Sequence, residues 1–222
     1  MATPLTPPPR ARVRHGLTLV GATLTSMALL AASAVALAAA VVPTLHSRYL
    51  PWITGRGLGI AAYLCLVGLV ALGLLLHHPW RRRLGLHPES LLRAHAVLGT
   101  ATVALVVAHV VALASDPYAG VGWLGAVVPG VSRYRAGAVA LGVVAFALLL
   151  AVAGTARLAG RLGARHWRWV HHLSGAVLLL VWVHGVLAGT DTAALRGCYV
   201  GSAGLLVALA VTRVLARVPE AA

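Results

Sequence analysis

LLRAHAVLGTATVALVVAHVVALA, residues Leu91–Ala114, sets two histidines and a single arginine in an otherwise apolar run. A helix that crosses the hydrocarbon core of a bilayer needs about 20 such residues. A spanning strand would instead show about 10 residues of alternating polarity, and no such alternation occurs. Ionisable side chains inside a bilayer are costly, and where they occur they face the interior of a helix bundle. The stretch is therefore predicted to be a membrane-spanning helix that turns His95 and His109 away from lipid.

The rest of the chain repeats this pattern. Five more apolar stretches, Leu17–Val42, Gly57–Leu76, Ala136–Ala156, His172–Ala188 and Cys198–Leu215, are separated by breaks carrying Pro, Arg, Gly or Asp. Of the 222 residues, 60% are hydrophobic and only 10% charged, and the mean hydropathy is +0.90. Soluble domains are closer to half apolar and about a quarter charged, so this chain has too little polar surface to face water. The expected fold is an all-α integral membrane bundle of six transmembrane helices forming one domain over residues 17–216. A proline-rich disordered cytoplasmic tail, residues 1–16, precedes it, and a short cytoplasmic tail, 217–222, follows. The first stretch has the arginine-rich flank of a signal peptide, but its 26 residues exceed the about 7 to 15 of a signal core, so it is expected to stay as a helix.

The net charge of +14 would suit nucleic acid, but its distribution does not. All 18 basic residues are arginines, and they punctuate apolar runs instead of gathering on one aromatic-rich face. They read as topology signals. With the N-terminus inside, the inner segments carry 13 of them, including Arg81, Arg82, Arg83, Arg157, Arg161, Arg165 and Arg168, against 5 outside: Arg48, Arg56, Arg133, Arg135 and Arg196. The positive-inside rule then places both termini in the cytoplasm, and the third and fifth helices run parallel. Cys65 and Cys198 have no metal-binding spacing and read as small buried residues. The longest outside segment, Ser115–Ser132, which holds Trp123 between Gly and Pro residues, is expected to pack on the outer bundle surface.

Six of the 11 histidines, His15, His46, His77, His78, His87 and His166, fall in loops or at helix ends, where polar residues of the headgroup region are ordinary. His95, His109, His171, His172 and His184 fall in the third and fifth helices alone. His95 and His109 are 14 residues apart, a rise of roughly 21 Å and about 40° short of four turns, so they share a face. His171 and His184 are 13 apart, a rise of roughly 20 Å. Parallel helices align these by depth, His95 with His171 and His109 with His184. Two imidazoles at one depth can supply both axial ligands of a heme iron, and apolar surroundings favour the neutral, ligating form of the ring. Thirteen residues leave His171 and His184 about 140° apart on an ideal wheel, and His172 would still be about 120° off. Spacing therefore does not choose between His171 and His172 and calls for a local distortion. Gly99 and Gly175, four residues after His95 and His171, would clear space for a flat macrocycle on the same helix face.

RAHAVLGTATVALVVAH and HHLSGAVLLLVWVHG resemble the third and fifth helices of the ferric-reductase-like transmembrane domain. This superfamily takes in ferric reductases, the NADPH oxidase membrane domain and the heme subunit of bacterial methionine sulfoxide reductase. The NADPH oxidase domain is similar in its six helices and in paired histidines 14 and 13 apart, the first of a double histidine being the ligand. The run from Ser132 to Leu173 and the AGTDT at Ala188–Thr192 resemble small bacterial members, and the likeness covers roughly His77 to Ala216. It implies two b-type hemes, iron-ligated by His95, His109, His171 and His184, with His172 set aside. It implies electron transport as the membrane subunit of an oxidoreductase.

The chain departs from larger members in stopping seven residues after its last apolar stretch without a GxGxxG motif. Electrons are then expected from a separate donor, either a flavoprotein, a quinone or a flavin bound at the cytoplasmic face, and pass to an unidentified acceptor at the outer face. Arg165, His166, Trp167, Arg168 and Trp169 offer a donor contact there, although an aromatic belt with basic anchors would look the same. The alternative class is a heme-free transporter or proton relay using the same histidines. It normally needs a carboxylate within a span, and Glu89, Asp116, Asp191 and Glu220 all lie at helix ends or in loops. A third is an assembly subunit whose histidines only join helices by hydrogen bonds.

Overall fold

The computed structural model describes residues 48–161 and 164–216. Every regular element among them is helical: α1 Leu50–Leu76, α2 Trp80–Arg83, α3 Pro88–Ala114, α4 Gly122–Val127, α5 Ala136–Arg157, α6 Ala164–His172, α7 Ser174–Ala188 and α8 Arg196–Leu215. Five segments are long and apolar enough to cross a membrane: α1, α3, α5, the joined α6–α7 segment Arg165–Ala188, and α8. The protein is a multi-pass membrane protein. The predicted first helix, Leu17–Val42, and the tails 1–16 and 217–222 lie outside the described residues.

Several spans start earlier than the apolar pattern indicates. α1 begins at Leu50 rather than Gly57, although Pro51 and Arg56 read as breaks. Proline is tolerated in a first helical turn, where its missing N–H has no partner to lose. Arg56 is neutralised by an ion pair with Asp191. α3 begins at Pro88, directly after His87 in an extended conformation.

Large apolar side chains point outward along the spans: Val97 is 69% exposed, Leu179 61% and Val207 60%. In a bilayer these meet acyl chains, which cost an apolar surface nothing. Inside, Leu66, Leu149 and Val177 form one buried cluster and Tyr63, Val67, Tyr199 and Leu206 another. Between membrane helices the net attraction comes from close packing and interhelical hydrogen bonds. The bundle has both. The hydroxyls of Tyr63 and Ser202 bond α1 to α8, Trp182 Nε1 donates to the Tyr199 carbonyl at 3.2 Å, and Tyr134 donates to the Ala188 carbonyl at 2.7 Å.

The segment Ser115–Ser132 contains α4 and folds back on itself. A Cβ at Gly125 would come within 2.8 Å of the Ser132 backbone, which is why a residue without one sits there. Trp123 is 60% exposed. Trp52 of α1 ties the segment to the bundle, meeting Tyr118 and Tyr134 edge-on at 6.0 and 5.4 Å.

α6 and α7 form one span with a flaw in it. Leu173 leaves the α pattern, and its N–H bonds to Val170, three residues back, at 3.0 Å.

Candidate functional site

α1 runs antiparallel to α3, and α5 antiparallel to α7, and these pairings fix the histidine rings. On α3, His95 Nδ1 bonds the Leu69 carbonyl at 3.0 Å, and His109 Nδ1 bonds the Gly55 carbonyl at 2.6 Å. On α7, His184 Nδ1 bonds the Ala138 carbonyl of α5 at 2.8 Å. A carbonyl can only accept, so in all three rings Nδ1 carries the proton and Nε2 keeps its lone pair.

The rings meet in two facing pairs. His95 and His171 have centroids 6.0 Å apart and planes at 56°. His109 and His184 are 6.5 Å apart with planes at 80°. The residues of each pair come from different spans, and the 14-residue interval in α3 separates the two levels by roughly 21 Å along the helix.

His171 rather than His172 faces His95; His172 is exposed. The flaw at Leu173 accounts for part of the angular mismatch between His171 and His184. Residues in a three-residue turn advance by about 120° instead of about 100°, so one tightened turn recovers roughly 60° of the 140° offset. His171 is held differently from the other three. Its Nδ1 is buried with no hydrogen-bond partner among the described residues, and Trp167, one turn earlier, lies against its ring at 5.4 Å.

The glycines that press against the histidine rings are not Gly99 and Gly175. An added Cβ at Gly99 would meet Leu69 at an ordinary 3.7 Å, and one at Gly175 would meet nothing within 4 Å. The close approaches are across helices. A Cβ would come within 2.8 Å of His109 at Gly59, 2.8 Å of His184 at Gly142, and 3.3 Å of His95 at Gly73. One signal for the first and third was present in the sequence: Gly59 and Gly73 are 14 residues apart, as are His95 and His109.

A cavity surrounds the His109–His184 pair. Tyr63, Thr102, Phe146 and Leu149 line its apolar body, and the Arg56–Asp191 ion pair lies toward its rim. Among the described residues no three or more His, Cys, Asp or Glu side chains converge as a metal site, so each level offers two protein donors.

Of the remaining histidines, His77, His87 and His166 are exposed, as headgroup-region residues should be, and His15 and His46 lie outside the described residues. His78 departs from that expectation. It is 3% exposed, its Nδ1 accepts from the Trp80 N–H at 3.1 Å, and its Nε2 meets the Thr212 hydroxyl at 3.1 Å. It ties the end of α1 to α8.

Residues 58–182 match the family described as "Ferric reductase like transmembrane component". The chain belongs to this family. The match covers more than half of the sequence and takes in His95, His109 and His171, ending two residues before His184. No curated protein and no solved structure matches the chain. Family membership makes it a transmembrane, reductase-like module of electron transfer.

Proposed function

We propose that the chain is a transmembrane b-type cytochrome that passes electrons across the membrane through two hemes. His95 and His171 would hold one, and His109 and His184 the other. The observation that carries this reading is the pair of facing imidazole couples. Two imidazoles on opposite sides of one metal, each nitrogen about 2 Å from it, have ring centres roughly 6 Å apart, against the 6.0 and 6.5 Å here. Two protein donors are too few for zinc, which takes three or four, but suffice for an iron whose other ligands come from a porphyrin. The anchored Nδ1–H groups leave Nε2 free to ligate and fix the plane of each ring.

Bound at these two levels, heme supplies a one-electron carrier near each face of the membrane. The chain's own residues do the rest. The carbonyls of Leu69, Gly55 and Ala138 orient three rings, Gly59, Gly73 and Gly142 admit them between packed helices, and Tyr63, Phe146 and Leu149 keep water from one level. Positive-inside asymmetry supports cytoplasmic termini and puts the His95–His171 level on the inner side. The donor is then a separate flavoprotein, a quinone or a flavin at the cytoplasmic face, and an acceptor waits at the outer face. A proton relay is less well supported, because Asp191 is already paired with Arg56 and Asp116 and Glu89 sit at helix ends.

The test is heme counted by pyridine hemochrome against protein counted by amino-acid analysis. Two low-spin hemes per chain are expected. A ratio near one removes one histidine couple, and a ratio near zero overturns the reading.

A further inference from the structure

Three of the four histidine anchors follow one rule. His109 bonds the carbonyl of Gly55 and lies against Gly59; His95 bonds that of Leu69 and lies against Gly73; His184 bonds that of Ala138 and lies against Gly142. In each case the acceptor is four residues before the glycine. Within a helix that carbonyl already receives the glycine's own N–H, and its second lone pair points past the glycine's side-chain position. A Cβ there would fill the path by which the imidazole reaches it. The glycine is what makes a helical carbonyl available to a ring on a neighbouring helix.

His171 has no such arrangement. Moving 13 residues along α5 from Gly142, as His171 stands 13 before His184 on the antiparallel helix, leads to Thr155. Thr155 carries a Cβ, and its hydroxyl donates to the carbonyls of Ala151 at 2.8 Å and Val152 at 3.1 Å. The lone pairs that would serve a ring there are taken from within the helix, and His171 Nδ1 is buried without a partner among the described residues.

We infer that the two levels are electronically unequal by construction, with Gly59, Gly73 and Gly142 as positioning residues. The His109–His184 level has two imidazoles whose Nδ1–H is bonded to a carbonyl, and the His95–His171 level has one, with His171 the weaker donor. This rests on the heme reading above. An Nδ1–H bond to an acceptor raises the basicity of the ligating nitrogen, and a more basic axial ligand stabilises ferric over ferrous iron. Each glycine thus holds down the potential of its own level, and the level of His171 lacks one such contribution.

The test uses the purified full chain, with electron paramagnetic resonance of the oxidised protein and a potentiometric titration, for wild type, Gly73→Ala, Gly142→Ala and Gly201→Ala. Gly73→Ala is the informative variant, because its Cβ would stand 3.3 Å from His95 and the ring can yield without leaving. Its heme content is expected to hold, while the midpoint potential of the His95–His171 component rises and the other stays. Gly142→Ala, at 2.8 Å from His184, is expected to shift or remove only the other component. Gly201→Ala on α8, where an added Cβ would meet nothing within 4 Å, should move neither. If Gly73→Ala keeps both hemes and shifts no potential, or shifts both alike, or if Gly201→Ala shifts as much, the inference is wrong. Protein that binds no heme in any form overturns the cytochrome reading itself, which separates that failure from this one.

Discussion

Replacing His171 and His172 one at a time separates a ligand from its neighbour. Consecutive helical residues point about 100° apart, and with side chains reaching about 5 to 6 Å from the axis their ring centres are roughly 8 Å apart. His171 is 6.0 Å from His95 across the gap, the separation that a shared iron requires. His172 stands on the exposed side of the same turn and would have to turn the helix by that whole angle to take its place. Such a turn would also carry Trp167, whose ring lies on His171 at 5.4 Å in the same helix, away from its present position. His171→Ala is therefore expected to halve the low-spin heme signal, from two per chain to one, whereas His172→Ala keeps both. The assay is pyridine hemochrome together with the reduced-minus-oxidised visible spectrum of protein purified in detergent. Heme lost from His172→Ala and retained in His171→Ala would refute the assignment, since no rotation of an intact α6 brings both rings to His95.

His78→Ala should destabilise the protein without touching heme. It removes the acceptor of the Trp80 N–H and the link to Thr212, a loss of about 0.5–1.5 kcal/mol for each hydrogen bond; a lower thermal unfolding midpoint at unchanged heme per folded chain is the expected result. Reporter fusions placed after Arg83 and after Arg217 should both report the cytoplasm. A signal from the far side at either one breaks the proposed assignment of the His95–His171 level to the inner face.

The spans were legible because bilayer thickness sets a length that apolar runs such as Leu91–Ala114 either meet or miss. The histidine couples were legible for a related reason: few side chains are as conspicuous in hydrocarbon as an imidazole, and helical rise turns sequence interval into depth. The start of α1 was harder to see. A proline in a first turn and an arginine whose partner, Asp191, is 135 residues away look like interruptions until the fold supplies the pairing. The glycines against the rings were missed for the same reason. Gly99 and Gly175 are neighbours of histidines along one helix, but the crowding is between helices, at Gly59, Gly73 and Gly142. His78 looked like one of several loop histidines, and only the packing of α1 against α8 distinguishes it from His77.

α1 and α3 behave as two matched rulers. The marks on one, Gly59 and Gly73, are as far apart as those on the other, His109 and His95. Deleting one residue between His95 and His109 would swing one ring by about 100° and draw it about 1.5 Å along the axis, off its mark. The loops impose no such constraint, since adding residues to a surface connection costs little. Length variation among relatives should therefore collect between the helices and stop at these intervals. A graft of α3 into another scaffold would have to bring α1 with it, because the spacing that aligns the histidines is written half in each.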